Sequence, residues 1–249
     1  MWIGRYDLGV TPDENVEAVR RESNALAAAA RRALMPTVPS CPEWSVSDLV
    51  WHVGGIHRHR IWLITEHPDG PSGFDIERPG DDAIVDWFVD GSEELARVLE
   101  SHEPTEKVWT WFPDDQTVGF WQRRMAQETA VHRWDGENAN GERRAIDPWL
   151  AADGVAEFLD TLLVVQDAPP KGNGETIHVH ATDAPSEWVI TLAPEGARAE
   201  QGHAKADAAL RGTASDLLLA LWRRLPLDAL EVLGDRGVAE AFVGGMDLS

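Results

Sequence analysis

The first half of the chain carries four long segments of helical composition, and this feature limits the possible folds more than any other. Apolar residues recur at helical spacing in these segments, with few Gly or Pro. The first segment covers 13–34, and the second begins at a Ser45 or Ser47 cap and runs to about His67. The third covers 81–102, with an interruption at Gly91, and the fourth covers 117–138. The Pro-rich loop 36–44 and a short extended piece at 108–115 lie among the connections. This pattern predicts a four-helix bundle.

The second half of the chain has a different pattern. After a linker at 138–148, the sequence predicts a helix, a loop, three short strands and two more helices. These elements are 149–166, 167–175, "TIHVHA" at 176–181, "EWVITLA" at 187–193, the weaker "ADAALRG" at 206–212, 213–225 with a Thr213 or Ser215 cap, and "DRGVAEAF" at 235–242. The chain is therefore predicted to be an α+β protein, with a helical bundle over 1–140 and a smaller α+β domain over 148–249.

The charge and cysteine content narrow the classes of partner. A formal net charge of −21 repels nucleic-acid phosphates and anionic lipid heads, so neither nucleic acid nor membrane is expected as a partner. The start of the chain has no basic region followed by an apolar core, so no signal peptide is expected. No intramolecular disulfide is possible with Cys41 as the single cysteine. These features predict a cytoplasmic protein.

The stretch "QETAVHRWD" (127–135) places charged side chains where a helix should face the core. On a helix over 117–138, one face carries Trp121, Met125, Glu128, His132 and Asp135. The large apolar members of this face indicate that it points inward. A buried carboxylate is costly without a partner. Residues four apart have Cβ atoms within ~6 Å, so Glu128 and His132 can share one metal ion.

The second helix offers a further ligand. It places His52 on one face together with Leu49, Ile56, His59 and Leu63. The three residues His52, Glu128 and His132 would form a two-His, one-carboxylate site with an open position, as in catalytic zinc sites and several iron enzymes. The alternative is a hydrogen-bonded helix pair and an ordinary core histidine.

The other candidate residues give weaker patterns. His59 could support the site or face the substrate, or it could lie at an exposed helix end. His178 and His180 share one strand face and could bind a metal, although an exposed strand face is the more common arrangement. His57, His67, His102 and His203 show no pattern, and Cys41 is interpreted as structural.

Two of these stretches resemble a known family. The segment "CPEWSVSDLVWHVGGIHRHR" (41–60), followed by "QETAVHRWD", resembles the mycothiol-dependent maleylpyruvate isomerase family. The resemblance implies a DinB-like metal-binding bundle, and the segment 206–235 is similar to the family's sterol-carrier-like C-terminal domain. It also implies a divalent metal held by His52, Glu128 and His132, with zinc as the first candidate for that metal. The family's C-terminal arginine has three candidates, Arg211 as the best match and then Arg223 and Arg224.

The resemblance implies an enzyme that uses the thiol mycothiol as a cofactor. The net reaction on a small electrophilic substrate is either cis–trans isomerisation or S-transfer. An arginine would suit a substrate that carries a carboxylate. Two alternatives stay open: a thiol-independent metallohydrolase on the same bundle, and a non-catalytic metal-binding regulatory protein.

Overall fold

A computed structural model describes residues 10–248 of the protein. The chain divides into two compact units, residues 11–144 and residues from 145 onward. The expectation that no signal peptide starts the chain concerns residues 1–15, of which 1–9 lie outside the described residues. None of the described helices is long and apolar enough to cross a membrane.

Four helices form the first unit, and the predicted four-helix bundle is confirmed. They are α1 (Pro12–Arg32), α2 (Val46–Glu66), α3 (Ile84–Ser101) and α4 (Val118–Ala139). Thr11 and Ser45 start α1 and α2 with capping boxes completed by Glu14 and Asp48, and the hydroxyl of Thr117 caps α4. The cap of α2 is therefore Ser45 and not Ser47. These caps fix where each helix starts, and so which residues face the core.

Three details of this unit differ from the expectation. The Pro-rich loop contains a small antiparallel hairpin of β1 (Thr37–Val38) and β2 (Cys41–Ser45). The piece at 108–115 is not a strand; it is a loop between the two residues of a single bridge, Lys107 and Thr117. Helix α3 is not interrupted at Gly91. A Cβ atom at this position would collide with the guanidinium group of Arg58, so a larger residue would require Arg58 to move.

The second unit contains a mixed five-stranded sheet with helices, which confirms the α+β class. The strands are β3 (Glu175–Ala181), β4 (Glu187–Ala193), β5 (Gly196–Gln201), β6 (Ala208–Gly212) and β7 (Glu231–Gly234). Their order is β5-β4-β3-β6-β7, and only β3 and β6 run parallel. The helices are α5 (Pro148–Glu157), which continues as a π-helical turn over Phe158–Leu162, α6 (Ala214–Leu221) and α7 (Arg236–Gly245).

The central strands of this sheet bury one face. Ile177 and Val179 on β3, Trp188 on β4 and Leu210 on β6 are all buried, and α6 and α7 contact β3 and β6. Side chains alternate between the two faces of a strand, so the residues between them lie on the opposite face. His178 and His180 are two of these residues, which places both imidazoles on the face away from this core.

Candidate metal centre in the helical bundle

The middle of α4 presents apolar and charged side chains to the interior of the bundle. Trp121, Met125 and Asp135 are buried, and the side chain of Glu128 is only 17% exposed. The prediction that this face points inward is therefore confirmed. His132, one turn after Glu128, is also buried.

The imidazole of His52 reaches the same place from α2. Its Nε2 lies 3.6 Å from Oε1 of Glu128, and Nε2 of His132 lies 3.2 Å from that same oxygen. One ligand atom of each of the three residues lies within 4.8 Å of the others. Ligands of a tetrahedral zinc ion lie about 3.4 Å apart when the bonds are about 2.1 Å. The three residues, here called the bundle group, therefore fit one ion after small shifts.

Asp135 fixes the orientation of the His132 ring. Its Oδ2 lies 3.0 Å from Nδ1 of His132, and its Oδ1 accepts a hydrogen bond from the hydroxyl of Ser40. A carboxylate on one ring nitrogen sets the tautomer and leaves the other nitrogen as a ligand. Nε2 of His132 is the nitrogen that faces Glu128, so the ring is oriented for metal binding.

Arg124 orients the carboxylate of Glu128 from the other side. Its Nη2 donates to Oε2 at 2.7 Å, which leaves Oε1 toward the two histidines. Burial acts to raise the pKa of Glu128, but His132, His52 and Arg124 outweigh it and hold the pKa well below its usual range. Burial likewise acts to lower the pKa of His132, yet Glu128 and Asp135 raise it to about 9, so a metal at Nε2 would have to replace the proton on that nitrogen. Glu128 is therefore held as a carboxylate.

A second buried guanidinium group lies near Glu128. Arg60 on α2 stacks over the ring of Trp121, 4.3 Å from its centroid. Burial lowers the pKa of Arg60 to about 10, while the charge of Glu128 acts in the opposite direction. Within the described part of the chain, its Nε has no hydrogen-bond partner. Arg60 therefore places a positive charge near Glu128.

His57 lies next to the bundle group but does not belong to it. Its fully buried ring bridges the hydroxyls of Ser92 on α3 and Thr129 on α4, at 3.2 and 3.0 Å. Burial lowers its pKa to about 3. His57 is therefore a neutral core histidine that connects three helices.

The remaining candidates of the first unit lie elsewhere. His59 stacks on Trp62 and contacts the carbonyl of Pro71 through Nε2, so the expected exposed helix end is instead a contact with the loop after α2. His67 pairs with Glu106. His102 contacts a carbonyl of its own helix, and Cys41 is half-buried against the bundle core.

The three candidate arginines lie in the second unit. Arg211 is exposed on β6, where its Nη1 lies 2.7 Å from a carboxylate oxygen of Glu231 on β7. Arg223 has a φ of 57° and donates to the carbonyl of Met246. Arg224 lies over the ring of Trp222. Arg211 precedes α6, as the sequence predicted, and its role stays a prediction.

A second group of possible ligands lies on the sheet of the second unit. It consists of His178, His180, Glu187 and His203 and is here called the sheet group. The expectation of an exposed strand face is wrong for His178, which is buried. His203, which showed no pattern in the sequence, belongs to this group.

The sequence contained signals for two of the missed residues. Arg124 precedes Glu128 by four residues, the spacing of a helical ion pair. Arg60 follows His52 by eight residues, which is about two turns of the same helix. Ser40 could not be found in this way, because the β1–β2 hairpin brings it to Asp135 from a distant part of the chain.

The fold and the site define a class of protein: a helical bundle with an inward-facing His–Glu–His group, followed by a small α+β unit. The N-terminal domain model of mycothiol maleylpyruvate isomerase matches residues 16–136, and the MDMPI C-terminal domain model matches residues 150–241. The chain therefore belongs to the mycothiol maleylpyruvate isomerase family, and the resemblance seen in the sequence is confirmed.

Solved structures support the same fold. The crystal structure of the mycothiol-dependent maleylpyruvate isomerase is 14% identical, with a TM-score of 0.63 over 89% of this chain and 92% of that chain. A histidine-to-alanine variant of that enzyme gives 13% identity and a TM-score of 0.62 over the same shares of the two chains. At such low identity the likeness shows the fold alone. No curated protein matches the chain in sequence.

Proposed function

We propose that the protein is a metal-dependent enzyme that uses mycothiol as a cofactor and acts on a small electrophilic substrate. The observation that carries the proposal is the convergence of His52, Glu128 and His132 on one point between α2 and α4. Three protein ligands leave a coordination position open, which distinguishes catalytic from structural zinc sites. The side chain of His52 is 34% exposed, so this side of the group is accessible.

The neighbouring side chains support a metal at this position. His52 and His132 would bind it through Nε2 and Glu128 through Oε1, while Arg124 and Asp135 keep Glu128 and His132 in place. Zinc suits two imidazoles and a carboxylate. A bound divalent ion would lower the pKa of a coordinated thiol, so that the thiol is held as thiolate near neutral pH.

The charges around the bundle group favour an anionic ligand. The guanidinium groups of Arg60 and Arg124 balance the carboxylates of Glu128 and Asp135, so a divalent ion would leave a local net positive charge. This charge suits a thiolate and a substrate that carries a carboxylate. Arg60 is the better placed of the two arginines, because Arg124 already pairs with a carboxylate, that of Glu128, whereas Arg60 contacts the imidazole of His59 and the ring of Trp121. Arg211 stays a second proposal for a carboxylate contact.

Two net reactions are compatible with this site. The substrate is either isomerised about a double bond, with mycothiol recovered, or joined to the thiol in an S-transfer. Maleylpyruvate, the substrate in the family's name, is the first compound to test. A cytoplasmic location, expected from the single cysteine, is part of the proposal.

Mass spectrometry tests the function. Zinc-loaded protein is incubated with mycothiol, maleylpyruvate and a panel of electrophiles, with and without the thiol. We expect product only in the presence of mycothiol, and loss of that product in Glu128→Gln. The matched control is Glu106→Gln, because Glu106 also pairs with a histidine but lies outside the bundle group. Equal conversion without thiol would contradict the proposal and support the metallohydrolase.

A further inference from the structure

The sheet group begins with the register between β3 and β4. His180 on β3 lies directly opposite Glu187 on β4, and His178 lies two residues earlier on the same face. Nδ1 of His180 is 3.0 Å from Oε1 of Glu187, and Nε2 of His178 is 3.2 Å from Oε2. The pairing of two strands therefore brings three possible ligands together.

The fourth member arrives through a turn after β5. Gly202 follows the strand with a φ of +151°, a conformation that favours glycine, and its N–H donates to the carbonyl of Glu187. This hydrogen bond holds the loop beside β4. The next residue, His203, places Nδ1 2.6 Å from Oε2 of Glu187. The backbone of Glu187 thus positions His203, while its side chain contacts the imidazole.

The convergence involves every histidine of the second unit. No other histidine follows His132 in the chain, and all three lie around a single carboxylate. The four ligand atoms lie within 4.8 Å of one another, and the contacts to Glu187 are 2.6 to 3.2 Å. Tetrahedral zinc separates its ligands by about 3.4 Å, so these distances need to change only modestly for the four residues to hold one ion.

The donor set indicates which ion fits. Three imidazoles and one carboxylate suit Zn²⁺ and other borderline divalent ions better than Ca²⁺ or Mg²⁺, which prefer oxygen ligands. Four protein ligands complete the tetrahedral sphere of zinc, as in structural sites. The side chain of His178 is 10% exposed and that of His203 is 77% exposed, so the site is anchored at one end and open to solvent at the other.

We propose that His178, His180, Glu187 and His203 form a second divalent-metal site. The four protein ligands would fill the coordination sphere of a zinc ion and connect β3, β4 and the loop after β5. The site is separate from the bundle group and does not depend on the proposed function. Binding to the folded sheet alone would stabilise the second unit.

Zinc binding by the full-length, untagged chain tests this proposal. The background is the variant His132→Ala, which lacks a ligand of the bundle group. Isothermal titration calorimetry measures the zinc affinity of this chain. The zinc content after dialysis gives the number of bound ions. We expect one ion per chain, with an affinity that falls at least tenfold when His178→Ala, Glu187→Gln or His203→Ala is added. His203 is in an exposed loop, so its variant tests the site without disturbing the core.

Two controls complete the experiment. Glu200→Gln changes a carboxylate of β5 that lies outside the group, and His102→Ala removes a histidine of the other unit; both should leave the affinity unchanged. No saturable zinc binding in the His132→Ala background would overturn the proposal. Zinc binding that His178→Ala, Glu187→Gln and His203→Ala leave unchanged would also overturn it.

Discussion

The bundle group and the sheet group use the same two residue types but differ in how their members are supported. In the bundle group, the ligands come from two long helices. Arg124 and Asp135 orient two of these ligands, Glu128 and His132, through hydrogen bonds. In the sheet group, two ligands come from one strand, one from its neighbour and one from an exposed loop. Three protein ligands leave a position for chemistry, whereas four ligands fill the sphere of the ion. The comparison separates a candidate catalytic centre from a candidate structural one.

The largest effect should come from removing a ligand of the bundle group. His132→Ala should weaken zinc binding there by more than roughly 100-fold, since loss of a ligand's supporting partner alone costs about 10–100-fold. The zinc content of dialysed protein measures the loss. The matched control is His67→Asn, which changes a histidine paired with a glutamate outside the group and suits the left-handed backbone at that position. Equal zinc content in wild type and His132→Ala would contradict the assignment.

A smaller effect should follow when the support is removed and the ligand is kept. Asp135→Asn replaces the carboxylate that orients His132, so zinc affinity should fall about 10–100-fold. Ser40→Ala removes only the hydroxyl that donates to Asp135 and should have a smaller effect. Competition with a chelator of known affinity measures both variants. An Asp135→Asn affinity equal to wild type would show that the bundle group needs no such support.

His57 should make the bundle sensitive to acid. Its pKa falls from 6.5 to about 3 on folding, so between these pH values only the unfolded chain binds the proton. The free energy of unfolding should therefore fall as the pH drops, by up to about 1.4 kcal/mol per pH unit from this residue. Metal-free wild type should lose about 1.6 kcal/mol relative to His57→Gln between pH 6.5 and pH 5.

Denaturant unfolding followed by the helical circular dichroism signal measures this difference. His180→Ala provides the control, because it removes a histidine of the sheet group and leaves the bundle intact. The same pH dependence in wild type and His57→Gln would exclude a buried neutral imidazole at this position.

The smallest change in the zinc affinity of the bundle group should come from separating the two units of the chain. The fragment 1–144 contains the whole first unit, including Arg144, whose guanidinium group pairs with Glu137 of α4. We expect it to give a helical circular dichroism spectrum and to bind one zinc ion within about twofold of the affinity of the bundle group in the full chain. Little helix, or a much weaker affinity, would show that the first unit depends on the second.

The sequence predicted the bundle and the inward placement of Glu128 and His132 because both follow from helical spacing within single segments. Trp121 and Met125 mark the inward face of α4, and the same period places Glu128 and His132 on it. The strands β5 and β7 were missed because both are edge strands with little apolar alternation. His203 could not be predicted, since its position depends on strand register and on the turn at Gly202.

Cobalt spectroscopy tests the central claim most directly, because it detects sulfur at the metal of the bundle group. In a His178→Ala chain loaded with one equivalent of cobalt, the metal should bind first at His52, Glu128 and His132, and added mycothiol should produce a sulfur-to-cobalt charge-transfer band. The band should be lost in the same chain with Glu128→Gln. A chain with bound cobalt that shows no band at any mycothiol concentration would contradict the account and favour a thiol-independent hydrolase.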